Sequence, residues 1–422
     1  LAILGLRDTS NFVANQAPES WREGILLLYP NGAEASKAPL TALTSLMKSK
    51  SVDDPRFHWW EKSLNDRRVQ LHATTTVNGG DPTAATAGTV EVWTLKSTED
   101  AKQFKKNDLL MVEQTKEILQ VTEDPTSDTS ITVRRGAAGS TTAAIDPNGV
   151  GINPMLVCIG SAFEEGSRAP TGVNFDPTEQ YNYTQIFRST LEMTNTAMKT
   201  RLRTGDQVKE AKRECLEYLS VDMERAFFFG KRNSTTQNGK PLRTTNGIIN
   251  MIPSANQYAF ASGTVTMDLL MARMKDLFSV GSYEKMAFCG NQALLAINET
   301  VRKNSTWNIQ NGVKEYGMAV TRLTTPFGEL VLKPHPLFNQ MSGGTNEGTN
   351  TYNAWDSAAF ILDMPNIEYV YLNGRDVTYQ KKLQDDGVDG MQSGYIAECG
   401  LELHHDSTHW LWTGVKTGTR DS

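Results

Sequence analysis

A chain of 422 residues with 39% hydrophobic and 21% charged residues can bury large cores, so it reads as globular, with about two or three domains. Its net charge of −6 excludes a sequence-wide grip on nucleic acid, which needs a strong basic surplus. Cys158, Cys215, Cys289 and Cys399 are scattered without a C-x-x-C pair, which argues for free, mostly buried thiols of a reducing cytosol.

In chain order, residues 1–56 mix short apolar runs with Pro18, Pro30, Pro39 and Pro55, the pattern of an extended arm with one helix near 40–48. "LAILGL" at the start is too short for a signal peptide, and "ILLLYP" (25–30) falls far below a membrane span. "RRVQLHATTTV" (67–77) is strand-like, and "NGGDPTAATAG" (78–88) reads as a linker. "NDLLMV" (107–112), "EILQVT" (117–122) and "SITVRR" (130–135) are short apolar runs between polar turns, predicting a small antiparallel β module to about residue 165. "EEGSRAPTGVNFDPTEQ" (164–180) is loop-rich. "YNYTQIFRSTLEMTNTAMKTR" (181–201) predicts a strand pair, or a strand leading into the next helix. "DQVKEAKRECLEYLSVDMERAFFFGKR" (206–232) is the clearest helix: Asp206 caps it, Val208, Ala211, Cys215, Leu219, Met223 and Ala226 recur at helical spacing, and Gly230 ends it. Helices follow at 267–280 and 290–303, with strands at 285–290, 328–336, 358–364, 367–374, 394–405 and 409–415. "SGGTNEGTNTYN" (342–353) is a loop.

The stretch that looks most like chemistry is "VRRGAAGSTTAA" (133–144). A phosphate-binding loop needs G-x-x-x-x-G-K-[ST], so that backbone N–H groups wrap the phosphates while a lysine reaches the outer oxygens. Gly136 and Gly139 are three apart, Ser140 stands in place of lysine, and Pro147 breaks the chain soon after; the stretch reads as a turn. His404, His405 and His409 with Asp406 are the best metal candidates. Adjacent His404 and His405 point to opposite faces of a strand, so a hairpin at Asp406-Ser407-Thr408 is favoured over a metal centre. "DDGVDG" (385–390) places Gly387 where a calcium loop needs an oxygen ligand. No Gly-x-Ser-x-Gly or H-E-x-x-H motif is present. The expectation is no catalysis, no cofactor and no metal.

In the order "FHWWEKSL" (57–64), "EEGSRAP" (164–170), "NYTQIFR" (182–188), the helix at 206–232, "TTNGIINMI" (244–252) and "LELHHDSTHWLW" (401–412), the chain resembles tailed-bacteriophage major capsid proteins of the Hong Kong-97 fold. Within them it is most similar to the subgroup with a β module before "NYTQIFR". The resemblance implies an α+β chain: arm 1–56, extended loop 57–87 and 166–204, inserted β domain 88–165, spine helix and peripheral domain 205–263, axial domain 264–357 and return strands 358–422. It also implies a virion shell protein, put together in the host cytoplasm as hexamers and pentamers. That shell encloses double-stranded DNA without sequence-specific binding, has a portal protein and scaffold or decoration proteins as partners, and involves no membrane. The expected subunit-interface residues are Trp59, Trp60, Arg188, Lys199, Arg201 and Arg203, with Lys209, Lys212 and Arg213 close behind; the last arginines are expected to meet carboxylates of a neighbour. No lysine–asparagine cross-link pair is assignable. The competing readings are a tail, fibre or carbohydrate-binding protein, against which the long helix counts, and an α/β hydrolase, which lacks a nucleophile motif.

Overall fold

The computed structural model describes residues 43, 46–62, 65–72, 87–96, 101–145, 154–200, 206–260, 265–303, 309–315, 318–340 and 355–416. It is a mixed α+β structure in two compact units, one of residues 1–59 and 179–422, the other of residues 60–178.

The helix Gln207–Phe229 organises the larger unit. Its cap is the predicted one, with the Asp206 carboxylate accepting from the N–H groups of Val208 at 3.0 Å and Lys209 at 3.4 Å. At about 1.5 Å per residue it runs about 34 Å. Cys215, Leu219 and Met223 bury one stripe, and towards the C-terminus burial widens to Glu224, Phe227 and Phe228. Neighbouring residues on a helix point about 100° apart, so the two phenylalanines enter different sheets. Phe227 meets Phe187 and Tyr369 edge-on at 6.4 and 6.0 Å between centroids. Phe228 meets Phe288, Phe338 and Phe360 at 6.0, 5.0 and 5.2 Å. The helix ends at Gly230, whose backbone turns extended, and backbone crowding requires glycine there. A Cβ there would lie 2.4 Å from the Ala226 carbonyl oxygen and 2.8 Å from that of Thr245.

The first sheet holds five strands. Lys48–Val52 lies parallel to Ile367–Leu372, which pairs antiparallel with Gly390–Leu403; that long strand pairs with Gln185–Thr194 and also with Thr378–Gln380. The second sheet has seven strands in the order Gln257–Ala259, Trp410–Thr413, Ala359–Leu362, Glu284–Cys289, Glu329–Pro334, Met318–Thr324 and Ile309–Glu315. Helices Met267–Leu277 and Asn291–Lys303 contribute Leu270, Met274, Ala293 and Ile297 to the core over this second sheet.

Two expectations are corrected here, and one strand is new. Residues 48–52 form an edge strand that the sequence reading did not assign, directly after the helix expected near 40–48, of which Leu43 and Leu46 are described as helical. Residues 185–194 do not belong to an extended loop; Phe187 and Leu191 alternate inward beneath the long helix, which fixes them in the five-stranded sheet. The seven-stranded sheet also exceeds 264–357, drawing in Gln257–Ala259, Ala359–Leu362 and Trp410–Thr413. The loop expected at 342–353 and most of the arm lie outside the described residues, as does most of the linker at 78–88.

In the second unit six antiparallel strands run in the order Arg68–Gln70, Met155–Ser161, Asp108–Val112, Ile118–Val121, Ser130–Arg134 and Val90–Thr94. Leu71 bridges Leu95, Lys96 N–H donates to the Gln70 carbonyl, and His72 N–H donates to that of Thr94. The last strand therefore bonds the first at this corner, which closes the sheet into a small barrel. Alternate residues fill it, among them Trp93, Leu110, Val112, Leu119, Val121 and Val133. The expected module boundary of 88–165 is too short: Val69 and Leu71 belong to the barrel core.

The turn at 136–139 is a turn, closed around a buried ion pair. Arg135 donates to both oxygens of Glu117 at 3.1 and 2.8 Å, both side chains are fully buried, and Glu117 also accepts from Gly136 N–H at 3.2 Å and Ala143 N–H at 3.3 Å. Its charge is spent internally, which leaves no phosphate cradle.

Excision should follow the barrel's closure. Residues 60–178 expressed alone should give a β-type circular dichroism spectrum and one cooperative melt, whereas 88–165 alone should give neither, since it lacks the closing strand. A cooperative melt from the shorter fragment would refute closure as the stabilising feature.

Candidate subunit interface

Two buried carboxylates tie the amino-terminal segment down. Glu224 of the long helix accepts from Leu43 N–H at 2.6 Å and lies 3.3 Å from His335 Nε2, with both side chains inaccessible to solvent. Glu402 is the second. It stands directly opposite Glu368 across the antiparallel pair, and Lys48 stands opposite Glu368 across the parallel one. Two residues further along, on the same face, the Lys50 ammonium lies 3.3 Å from Glu402. Burial pushes the Glu402 carboxyl up, but hydrogen bonding from His404 and the charge of Lys50 outweigh it, and its pKa falls below the usual carboxylate value.

Glu368, Glu402 and His404 bring donor atoms within 4.8 Å of one another, a set that a divalent cation could use. Lys50 competes for the same carboxylate, so the negative charge already has an internal counterion. The three histidines singled out from the sequence do not converge. His404 turns to Glu402 at 3.4 Å, and His405 adopts a left-handed backbone at φ 50°. The His409 ring is buried, accepting from Asp363 N–H at Nδ1 (3.2 Å) with Nε2 3.2 Å from the His404 carbonyl. Burial lowers its pKa to about 4. Beside it, Lys285 donates to the carbonyls of Leu277, Val280 and Thr408, each at 2.8 Å, and burial lowers its pKa to about 8. Sequence reasoning passed over Glu402; the signal was the two-residue spacing of Glu402 and His404 on a strand.

The expected interface residues fall into three groups. Trp60 is exposed, at 64%, whereas Trp59 is buried in its own chain against Phe57 and Val370, following the alternation of strand Arg56–Glu61. Arg188 is exposed on the outer face of the five-stranded sheet, where it reaches Gln380 at 3.4 Å. Lys199 ends the short helix Asn195–Lys199 and is exposed, while Arg201 and Arg203 lie outside the described residues. Of the basic residues behind them, Lys209 lies 3.8 Å from Asp206 and Lys212 lies over the Tyr379 ring at 5.0 Å. Two surface features escaped the sequence reading. One is the hairpin Asn233–Gln237/Lys240–Thr244, whose residues are exposed except at its base. The other is a cleft of about 430 Å³ at the carboxy-terminal end of strand Gln185–Thr194 in the five-stranded sheet, lined among others by Glu192, Asp385, Asp389, Met193 and Met391.

A family model described as SU10 major capsid protein matches residues 11–416. The major capsid protein of Pseudomonas phage PaMx41 is 28% identical, covering 94% of this chain and 92% of that protein. Among solved structures, the capsid of a native GTA particle is 9% identical with a TM-score of 0.45 over 96% of this chain and 97% of its own. A protein of Mycobacterium phage Bobi is 8% identical with a TM-score of 0.44, over 95% and 96%.

Two outcomes follow from this geometry. Lys50→Ala leaves Glu402 short of its counterion and should cost about 1–3 kcal/mol in denaturant unfolding, with amides 48–52 losing hydrogen-exchange protection first. For His409 the folded pKa is depressed below the unfolded value, so unfolding takes up a proton. Stability is therefore retained above about pH 6.5 and falls as the pH drops towards 4. Thermal melts across that range should fall more steeply for the wild type than for His409→Gln; equal slopes would refute the assignment.

Proposed function

Since the chain belongs to the SU10 major capsid protein family, whose members form the head shell of tailed phages, we propose that it assembles as hexamers and pentamers around packaged double-stranded DNA. The observation that carries this reading is the family match across nearly the whole chain. Its fold is of the Hong Kong-97-like capsid class, and its place is the virion. The work asked of such a protein is mechanical. A closed shell under internal pressure needs repeated, shared contacts, and long-range ties such as the buried Leu43–Glu224 and the half-buried Lys50–Glu402 anchor the amino-terminal segment of each copy. The modest negative charge supports enclosure without tight DNA binding, because a strongly basic lining would hold the genome back on ejection. A portal protein at one vertex, with scaffold or decoration proteins, completes the proposed set of partners.

Trp60, Arg188, Lys199, Arg201 and Arg203 are the proposed contact residues, with the arginines meeting carboxylates of a neighbouring copy. Electron microscopy of the purified protein should show closed shells. Arg201→Glu with Arg203→Glu should leave circular dichroism unchanged yet lower the shell yield by like-charge repulsion, and high salt should weaken wild-type assembly in the same direction. Normal shells at normal yield from the double variant would refute the arginine assignment, and rods or discrete monomers from the wild type would refute the shell.

A further inference from the structure

The exposed hairpin and the acidic cleft are complementary to each other. Residues 231–244 contain Lys231, Arg232, Lys240 and Arg243 and no acidic residue. Arg232 is engaged at the base, where its guanidinium donates to the Tyr181 carbonyl at 2.6 Å and stacks 3.9 Å from that ring. Among the described residues, no carboxylate pairs with Lys231, Lys240 or Arg243. Leu242 is 46% exposed. It lies opposite Thr235, and Lys240, two residues away and so on the same face, lies opposite Gln237. The hairpin thus presents an apolar knob beside an ammonium group. Among the described residues the hairpin is held at its base, by Gln185 and the strand that carries it, and a two-stranded hairpin projecting beyond such a base is marginally stable in water, which favours a state in which something covers its tip.

The cleft offers the converse surface. Met193 and Met391 lie among its lining residues with Val388, which is 61% exposed, and Glu192, Asp385 and Asp389 supply negative charge. The partners of the first and last carboxylates are neutral amides, those of Gln392 and Asn195. Lys199, Lys381 and Lys382 are near in sequence, but none of them is among the residues lining the cleft.

The two surfaces cannot meet within one copy. The hairpin's base is fixed beside Gln185, whose side chain accepts from Thr245 N–H at 3.1 Å. The cleft lies at residues 192–194 of the same strand. Eight residues of strand, from 185 to 193, separate them by roughly 26 Å, and a five-residue hairpin reaches only about 17 Å. Resting on the shell-forming function, we infer that the Lys240–Leu242 face of the hairpin docks into the Glu192/Asp385/Asp389 cleft of a second copy of this chain. The contact joins two different patches, so it is head-to-tail and can close a ring of subunits.

Charge exchange tests it. Lys240→Glu, and separately Asp385→Lys with Asp389→Lys, should each lower assembly roughly tenfold with monomer circular dichroism unchanged, and the three changes together should restore most of it. In parallel, Lys240→Cys with Val388→Cys should give interchain disulfides under mild oxidation, read on whatever oligomers form, with each single variant as control. Assembly by the wild type with neither rescue nor cross-link overturns the docking and leaves the shell function standing. Rescue of the cleft reversal by Arg201→Glu with Arg203→Glu instead also overturns it, because those arginines and not the hairpin would then be the partners of the cleft. A wild type that forms no oligomer refutes the shell function itself, and a cross-link found in soluble dimers would still support the docking.

Discussion

Everything in the larger unit depends on two adjacent phenylalanines pointing different ways. Phe227 and Phe228 sit one residue apart on one helix, and the turn between them sends one ring into the five-stranded sheet and the other into the seven-stranded sheet. A single core therefore serves both sheets, and neither can shift without repacking the helix end. Aromatic side chains suit this position because each buries a large area in two torsion angles, and edge-to-face contacts add direction to the burial. Glu224, one turn earlier, extends the same junction to Leu43 and His335. Shape and a buried charge thus converge on the last two turns of the helix.

The barrel solves a different problem. Short strands on a long chain leave edges that invite pairing with other chains, a hazard multiplied at the concentrations of an assembling shell. Joining the end strands through Leu71 and Leu95 shortens the exposed edge, and the Arg135–Glu117 pair locks the turn after one of the strands. A buried ion pair is poor evidence of net stability. Here Glu117 also satisfies two backbone N–H groups, so it fixes one loop conformation where a glycine-rich run would otherwise permit many.

Much of this was legible in the sequence, for local reasons. Helical spacing from Cys215 to Met223, Asp206 at the cap and Gly230 at the stop are short-range signals, and the strands of the carboxy-terminal half are long apolar runs. What escaped depends on partners far away. "RRVQL" has too few apolar residues to declare itself a barrel strand, and only the meeting with residues 94–96 gives it that role. "KSKSV" is polar except for Val52 and becomes a strand because an edge of the sheet is open beside Ile367–Leu372. The exposure of the hairpin and the shape of the cleft are properties of the assembled sheet, which no periodicity encodes.

The ties that hold the larger unit share one feature, their distance along the chain. Lys50 and Glu402 are separated by 352 positions, Asn182 and the Leu401 carbonyl by 219, and Leu43 and Glu224 by 181. Loop-closure entropy has to be met before such contacts return anything, and topologies rich in them fold slowly. The strand Lys48–Val52 is the extreme case, since its partner strand is made more than 300 residues later. Its backbone pairs with Ile367–Leu372 alone, while the Glu402 that receives Lys50 is positioned by the pairing of that strand with Gly390–Leu403. The amino-terminal strand therefore carries the longest-range of these ties, and its full set of partners exists only where both carboxy-terminal strands are in place.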